Sequence, residues 1–191
     1  MAIYARLSCL NGKRAVFPLL VLLVLGPFGL GLATHAARAG DVPPWKLCFS
    51  PEGHCATLIL DAIGAARKSV YVQAYSFTAK PIADALVEAR KRGVEVFVIV
   101  DKSQRSERYS VLDQLSASDI PLYVDYCCAI AHNKVMIIDG SKVVTGSYNF
   151  TQSAESRNAE NLLVIDDAVM AQAYLENWTR HRDGAQHYAA R

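Results

Sequence analysis

The feature that most constrains the fold is the stretch over residues 131–150, which has the pattern of two strands joined by a tight turn. Apolar residues fill both halves, and the dipeptide Asp139-Gly140 between them is a strong signal for a β-hairpin. We therefore predict two neighbouring antiparallel strands, over residues 130–138 and 142–145.

The same hairpin carries a polar motif, H-x-K-x4-D-x6-G-S-x-N, which occurs once in the chain. Its members are His132, Lys134, Asp139, Gly146, Ser147 and Asn149. Residues two apart leave the same face of a strand, so the imidazole and the ammonium are predicted to point the same way, as are the hydroxyl and the amide. A hairpin returns its second end beside its first, so we predict that these four groups converge. Asp139, in the turn, and Gly146 are assigned structural roles.

The four convergent groups suit the chemistry of a transferring phosphoryl group, whose oxygens carry negative charge. Lys134, Ser147 and Asn149 offer donors that bind the phosphate, and His132 offers a nucleophile or a proton carrier. Glu160, on a following predicted strand, is the nearest carboxylate that could hold the second ring nitrogen of the histidine. Each residue alone has an ordinary structural explanation, and only their joint spacing indicates a site. We predict a catalytic set of His132, Lys134, Asn149 and Glu160.

The rest of the chain alternates strand and helix patterns. Further strands are predicted over residues 46–50, 69–77, 94–100, 120–124 and 159–165, and helices near residues 55–66, 81–92, 109–116 and 167–181. This order predicts an α/β fold in which one mixed β-sheet is flanked by helices on both faces, in a single domain with one motif copy. The final helix is predicted to bury Met170, Ala173, Tyr174 and Trp178, and the last ten residues are predicted to fray.

The first 39 residues have the pattern of a secretory signal peptide. Basic residues precede an apolar run over residues 15–33, and Ala37-Arg38-Ala39 offers a cleavage site before Gly40. An uncleaved membrane anchor is the alternative, although the Pro and Gly residues of the run disfavour a stable helix. We predict a signal peptide over residues 1–39 and one domain over residues 40–191, located in the periplasm of a Gram-negative host or secreted.

Net charge restricts the class of partner. Residues 40–191 hold 16 Lys and Arg against 18 Asp and Glu, so the formal charge of +2 for the full chain becomes about −2. A global cationic surface for nucleic acid is absent, and attraction for phosphate must be local. Lys80, Lys102, Arg105 and Arg108 on predicted loops are candidates for a phosphate track, with ordinary solvated surface as an equal alternative.

Four of the five cysteines lie in the predicted mature chain, an even number that favours disulfides in an exported protein. Cys48 and Cys55 bracket a short turn and are predicted to pair, although His54 between them leaves a metal site as the alternative. Cys127 and Cys128 are adjacent, which disfavours a bond between them. This second pair also lacks metal-ligand spacing, so the sequence assigns it no role.

The motif resembles the H-K-D signature of the phospholipase D superfamily. The wider sequence is similar to the small bacterial nuclease branch of that family, which includes secreted EDTA-resistant endonucleases. The similarity runs through C-F-S-P-E-G, V-Q-A-Y-S-F, V-I-V-D-K-S-Q-R, A-H-N-K-V-M-I-I-D-G, T-G-S-Y-N-F-T and N-A-E-N-L-L-V-I. The resemblance implies that His132 attacks the phosphodiester and becomes a phosphohistidine, that Lys134, Ser147 and Asn149 bind the phosphate, and that Glu160 orients the histidine.

A single motif copy predicts a homodimer. Displacement at phosphorus needs a nucleophile on one side and a proton donor for the leaving oxygen on the other, and one imidazole cannot serve both. A two-fold axis beside His132 would supply the second imidazole from another subunit. The resemblance implies the same, because larger members of the family carry two copies in one chain. No metal or other cofactor is predicted, since no carboxylate cluster is present and Lys134 can replace the cation.

The predicted activity is therefore a metal-independent phosphodiesterase. The first hypothesis is a nonspecific exported endonuclease that cleaves DNA, with RNA as a further substrate. A phospholipase D or cardiolipin hydrolase is the alternative, favoured if the apolar N-terminal segment is retained beside a membrane. A non-catalytic module that binds nucleic acid is the third hypothesis, and it leaves the histidine of the motif unexplained.

Overall fold

Runs rich in Val, Ile and Tyr form the strands of one eight-stranded sheet in the computed structural model, which describes residues 43–189. The strands are β1 (Trp45–Ser50), β2 (Ser69–Ala74), β3 (Glu95–Asp101), β4 (Leu122–Asp125), β5 (Lys134–Ile138), β6 (Lys142–Gly146), β7 (Glu160–Asp166) and β8 (Gln186–His187). The helices are α1 (Cys55–Ala65), α2 (Lys80–Lys91), α3 (Leu112–Ser116), α4 (Gln152–Ser156) and α5 (Ala168–Gly184), with one 3₁₀ turn at Lys102–Arg105.

The sheet is mixed, with strand order β1-β7-β6-β5-β2-β3-β4-β8. Strands β2, β3 and β4 are parallel, and the other neighbours pair antiparallel. Helices α1, α2 and α3 cover one face, where Ile59, Ile82 and Leu115 are fully buried. Helix α5 covers the other face through Ala171 and Trp178. The predicted fold class, a mixed sheet with helices on both faces, is confirmed.

Strand direction brings the ends of six strands to one edge of the sheet, which we call the motif edge. It is defined by Ala74, Asp101 and Asp125 at the ends of β2, β3 and β4, Gly146 at the end of β6, and Lys134 and Glu160 at the starts of β5 and β7. The register pairs Ala74 with Lys134, and Asp101 with Asp125. Polar side chains from both halves of the chain therefore meet here.

The hairpin forms as predicted, but its first strand is shorter. Strand β5 begins at Lys134, so His132 lies in the loop before it rather than on the strand. The reason is a side chain distant in sequence: the carboxylate of Asp101 accepts a hydrogen bond from the backbone N–H of Ala131 at 2.7 Å, where a strand would use a neighbouring backbone carbonyl. The predicted placement of His132 on the strand is wrong for this reason, although His132 and Lys134 both lie against the ring of Tyr75.

The C-terminal region departs most from prediction. Helix α5 begins after Asp167, whose side chain accepts a hydrogen bond from Met170 N at 2.9 Å. Met170 itself is exposed, as is Ala173, so the predicted inner stripe is wrong at both positions. The prediction that the last ten residues fray is wrong over residues 182–189, since β8 pairs with β4 and Tyr188 is buried, and residues 190–191 lie outside the described part of the chain. A strand partner and a buried ring order this segment despite its polar composition.

Helix α4 has no counterpart in the predicted elements. It is a short helix capped by Thr151, whose hydroxyl accepts from Ala154 N at 3.1 Å. The predicted signal peptide and the domain boundary at residue 40 lie outside the described residues. Within residues 43–189, no helix combines the length and the apolar character needed to cross a bilayer.

Candidate active site

Lys134 is the most buried cation of the motif edge, with 6% of its surface exposed. Its ammonium donates a hydrogen bond to the backbone carbonyl of His132 at 2.7 Å and lies 5.1 Å from the ring centre of Tyr75. Burial lowers the pKa of Lys134, and the negative charge of Glu160 offsets part of that lowering. The ammonium makes one hydrogen bond among the described residues, so two of its three donors remain for an anion.

The imidazole of His132 is exposed and rests on the ring of Tyr75, with 4.5 Å between ring centres. The backbone is held on both sides of the residue. Ala131 N–H donates to Asp101, and Tyr75 N–H donates to the carbonyl of Asn133 at 2.8 Å. Neither ring nitrogen makes a hydrogen bond within residues 43–189. The loop is therefore fixed while the ring faces solvent, as a nucleophile requires.

The prediction that Glu160 holds the ring of His132 is wrong for the single chain. One carboxylate oxygen accepts from the Ser147 hydroxyl at 2.6 Å, and the other accepts from the Asn158 amide at 2.9 Å. Its contact with the site runs instead through Ser147 and through its charge on Lys134. The structure brings Glu160, Ser147 and Lys134 together, and no carboxylate among residues 43–189 bonds to the ring of His132.

Gly146 allows the segment after β6 to turn back on β7. Its φ is +149°, and a Cβ atom here would lie 2.2 Å from the carbonyl oxygen of Asn161. That same oxygen accepts from Ser147 N at 3.1 Å and from Tyr148 N at 3.3 Å. The close approach explains the glycine of the motif, because any side chain would push the hydroxyl of Ser147 away from the site.

Asn149 carries an unsatisfied polar atom. Its side-chain oxygen is buried and has no hydrogen-bond partner among the described residues. A 180° flip of the side-chain amide would exchange its oxygen and NH₂ group, and the NH₂ group could then donate to a ligand oxygen. A buried amide without a partner carries a desolvation cost that a bound anion would remove.

Asp139 has the structural role assigned to it and lies at the far end of β5 from Lys134. Its carboxylate accepts hydrogen bonds from the backbone N–H groups of Arg67 at 2.9 Å, Lys68 at 2.7 Å and Ser69 at 3.0 Å. Burial raises the pKa of Asp139, but these hydrogen bonds outweigh it and hold the pKa below its usual value. With Gly140 it forms the predicted turn, at φ of +54° and +65°.

Two residues of the site were missed from the sequence. Asp101, 1% exposed, accepts from Ser103 N at 2.9 Å and from Ala131 N, so it anchors the loop that carries His132. Burial raises the pKa of Asp101, and its hydrogen bonds lower it further than burial raises it. Asp101 could have been identified from the sequence, because it is a carboxylate at the end of the apolar run V-I-V-D. No feature of the sequence marks Tyr75, whose ring contacts His132 and Lys134.

A groove with cationic walls opens beside the motif edge. Its lining residues are Thr78, Lys80, Arg108, Tyr109, Ser110, Val111, Gln114, Gln152, Ser153 and Arg157, with no acidic side chain among them. Thr78 N–H donates to the carbonyl of Phe150 at 3.0 Å, next to Asn149, so the groove adjoins the motif.

The four predicted phosphate-track residues are divided between two places. Lys80 and Arg108 line the groove, together with Arg157, which was not predicted. Lys102 instead donates to the carbonyl of Cys128 at 2.9 Å, and Arg105 lies 5.7 Å from the ring centre of Tyr188. Two of the four candidates therefore belong to the groove.

The cysteines also divide into two sets. Cys48 and Cys55 form a disulfide, which joins β1 to the start of α1. Cys127 and Cys128 are exposed free thiols in the loop between β4 and β5.

The sequence matches a known family and several of its curated members. Residues 59–182 match the family profile described as "Cardiolipin synthase, PLD-like domain". A phospholipase D of Rickettsia bellii is 46% identical over 131 residues, which cover 69% of this chain and 65% of that protein. The mitochondrial cardiolipin hydrolase of Xenopus laevis is 31% identical over 141 residues, which cover 72% of this chain and 67% of that protein.

A solved structure of similar fold comes from the same family. The crystal structure of Nuc from Salmonella typhimurium, described as a phospholipase D family member, matches with a TM-score of 0.74 at 39% identity. The match covers 78% of this chain and 100% of that chain. With the profile spanning more than half of the sequence and the motif assembled at one edge of the sheet, the chain belongs to the phospholipase D superfamily of phosphodiesterases.

Proposed function

We propose that this protein is a metal-independent endonuclease that cleaves DNA, with RNA as a further substrate, through a covalent phosphohistidine at His132. The observation that carries the proposal is a contrast at the motif edge. Among the described residues, the exposed imidazole of His132 makes no hydrogen bond, and the buried ammonium of Lys134 keeps two free donors. A phosphodiester fits this pair, because the ammonium binds its charged oxygens while the imidazole reaches phosphorus.

The reaction has two steps. In the first, a ring nitrogen of His132 forms a bond to phosphorus, the bond from phosphorus to the leaving oxygen breaks, and a second imidazole gives that oxygen a proton. In the second, water attacks the phosphohistidine, the second imidazole takes the proton of the water, and the bond from phosphorus to His132 breaks. Lys134, Ser147 and Asn149 bind the non-bridging oxygens throughout. The charge of Lys134 and the two imidazoles supply every step without a metal ion.

The second imidazole comes from the partner chain of a homodimer in this proposal. Tyr126 and Ile130, in the loop that carries His132, are 41% and 52% exposed. Large side chains this exposed in the loop that carries the reactive ring suit an isologous contact, in which both copies of the loop bury the same surface. Such a contact would set the two imidazoles on opposite sides of one phosphodiester.

Nucleic acid as substrate is supported by the groove with cationic walls. Lys80, Arg108 and Arg157 offer positive charge to consecutive phosphates without an acidic neighbour in the lining. Tyr109 is 68% exposed, with the guanidinium of Arg108 5.4 Å from its ring centre. An open aromatic ring beside a cation suits the stacking of an unpaired base. The Cys48–Cys55 disulfide supports a periplasmic or secreted location, where such bonds persist.

The test uses His132→Asn with His54→Asn as matched control. His54 is exposed and lies outside the motif edge, and asparagine tolerates its φ of +55°. We expect His132→Asn to lower plasmid cleavage in excess EDTA by more than about 10³-fold, with the control unchanged. The wild type should carry the terminal phosphate of a cleaved DNA strand on residue 132 after rapid quench in alkaline denaturant, where a P–N bond survives. Normal turnover by His132→Asn, or loss of all wild-type activity in EDTA with recovery on adding a divalent ion, would contradict the proposal.

A phospholipid substrate is the second candidate, and one surface favours it. Trp45, Leu47 and Phe49 alternate along the edge strand β1 and are 48%, 44% and 62% exposed. If the apolar run over residues 15–33 is retained in a membrane, the enzyme works beside lipid, and this apolar strand face suits contact with lipid. The relatives named phospholipase D and cardiolipin hydrolase support the same chemistry on lipid.

A side-by-side assay on plasmid DNA and cardiolipin vesicles separates the two candidates. Cleavage of DNA at a kcat/KM far above that for cardiolipin supports the endonuclease. The reverse ratio, abolished in His132→Asn, assigns the lipid substrate and overturns the first candidate. A chain that binds DNA but cleaves neither substrate would be the non-catalytic module.

A further inference from the structure

Three potential metal ligands meet at the end of β4, in a part of the fold that the proposed reaction does not use. They are Asp125, Cys127 and His181, and their ligand atoms all lie within 4.8 Å of one another. The carboxylate follows a buried strand, the thiol lies in the next loop, and the imidazole comes from the last turns of α5. A fourth ligand is in reach, since Cys128 Sγ is 2.8 Å from Cys127 Sγ.

One distance in this cluster already matches a tetrahedral site, and the shorter ones would lengthen around a bound ion. His181 Nδ1 lies 3.5 Å from Cys127 Sγ and 2.6 Å from an oxygen of Asp125. Ligand atoms around zinc lie about 3.3–3.8 Å apart, given bonds of about 2.0 Å to nitrogen or oxygen and 2.3 Å to sulfur. The first distance already has this value, and the shorter one is a direct hydrogen bond that a cation between the two atoms would replace.

Burial makes the carboxylate an effective ligand. The side chain of Asp125 has no exposed surface, and its other oxygen accepts from Cys127 N at 2.9 Å. A buried negative charge that faces a thiol and an imidazole attracts a cation, because the surrounding protein screens it less than water does. The thiols select a borderline-soft ion over magnesium or calcium, which prefer oxygen ligands.

We propose that Asp125, Cys127 and His181 bind a zinc ion, with Cys128 completing a tetrahedral set. The ion joins the C-terminal end of α5 to the start of the loop between β4 and β5. That loop carries His132 five residues after Cys127. It is also tethered in the middle by Lys102, through the carbonyl of Cys128, and near its end by Asp101, through Ala131 N–H.

The zinc site holds this loop in place and does not touch the scissile phosphate. The register places Lys134 beside Ala74, Ala74 beside Val100, and Val100 beside Val124. Three strand spacings of about 4.8 Å therefore separate the start of β5 from β4, which is about 14 Å. The effect of zinc on cleavage rests on the proposed function, whereas zinc binding itself does not.

The experiment measures bound zinc on the reduced full chain, without substrate, and compares two variants with a matched control. His181→Gln and Cys127→Ser each remove one ligand, and His187→Gln makes the same change on the exposed β8 strand. After equilibration with zinc and gel filtration, we expect one zinc per chain in the wild type and in His187→Gln, and less than about one tenth of that in the two ligand variants.

Two further readouts come from the same samples. Zinc at one hundred times its dissociation constant should raise the Tm of the wild type and the control by about 5–10 °C, and leave the ligand variants unchanged. Cobalt in place of zinc should give the visible bands of a tetrahedral thiolate site. EDTA-treated protein should cleave DNA more slowly but still cleave. Because bound zinc is measured without substrate, an absence of nuclease activity would contradict the proposed function and not the zinc site. Wild-type protein without zinc, or ligand variants that bind as the control does, would overturn the proposal.

Discussion

The motif places polar groups at both ends of strand β5, and the two ends differ in how many hydrogen bonds these groups make. At one end, the carboxylate of Asp139 accepts hydrogen bonds from three consecutive backbone N–H groups. At the other end, the ring of His132 has no hydrogen bond among the described residues, and Lys134 keeps two free donors. A polar group whose bonding capacity is filled holds the fold together, and one whose capacity is open can bind a ligand. The motif thus combines one structural anchor with a reactive pair.

The largest effect is expected at the open end. Lys134→Met removes the buried ammonium while keeping a long apolar side chain, so the phosphate loses its main positive partner. We expect kcat/KM for plasmid cleavage to fall by about 10²–10³-fold, with the chain still folded. Lys142→Met is the control, because Lys142 pairs with Asp166 at the far end of the hairpin. An equal fall in kcat/KM in both variants would contradict a special role for the cation at the open end.

A stability effect is expected at the filled end. Asp139→Asn loses the charged acceptor of the turn, and we expect the free energy of unfolding to fall by about 1–3 kcal/mol, with activity per folded molecule unchanged. The depressed pKa of Asp139 fixes the pH dependence. The carboxylate stabilises the fold above its unfolded pKa, and this contribution is lost as pH falls through the folded pKa. Urea titrations should therefore show wild type and variant converging in acid; a constant difference from pH 7 to pH 3 would argue against the anchor.

The smallest effect is a shift in a pH profile. Burial lowers the pKa of Lys134 and the charge of Glu160 raises it, so Glu160→Gln should lower that pKa further. The ammonium is charged only below its pKa, and the alkaline limb of kcat/KM should therefore move to lower pH in the variant. Glu176→Gln, on the exposed side of α5, is the control. An unmoved limb would show that Glu160 acts on Ser147 alone.

Local sequence predicted the hairpin and long-range contacts decided the rest of the site. Asp139-Gly140 determines its own turn, so strands β5 and β6 were predictable from neighbouring residues. The position of His132 in a loop depends on Asp101, which lies 30 residues before its hydrogen-bond partner Ala131. Glu160 was expected to hold His132, but Ser147 and Asn158 occupy its two oxygens. None of these partners is encoded by periodicity or spacing.

The cysteine pairs show the same limit. Cys48 and Cys55 are close in sequence, and their disulfide follows from the turn between them. Cys127 and Cys128 lack metal-ligand spacing on their own, because the imidazole beside them comes from His181, 54 residues away. Only the docking of α5 on the sheet brings that side chain to the loop.

The pairing of β8 with β4 matters for anyone who shortens or tags this protein. A chain cut after Gly184 would lose Gln186 and His187, and β4 would present open backbone N–H and C=O groups to other molecules. Open strand edges pair with one another, so such a truncation invites fibre-like aggregates even though it spares every residue of the motif. Affinity tags are better attached beyond Tyr188, whose buried ring locks the final strand in place.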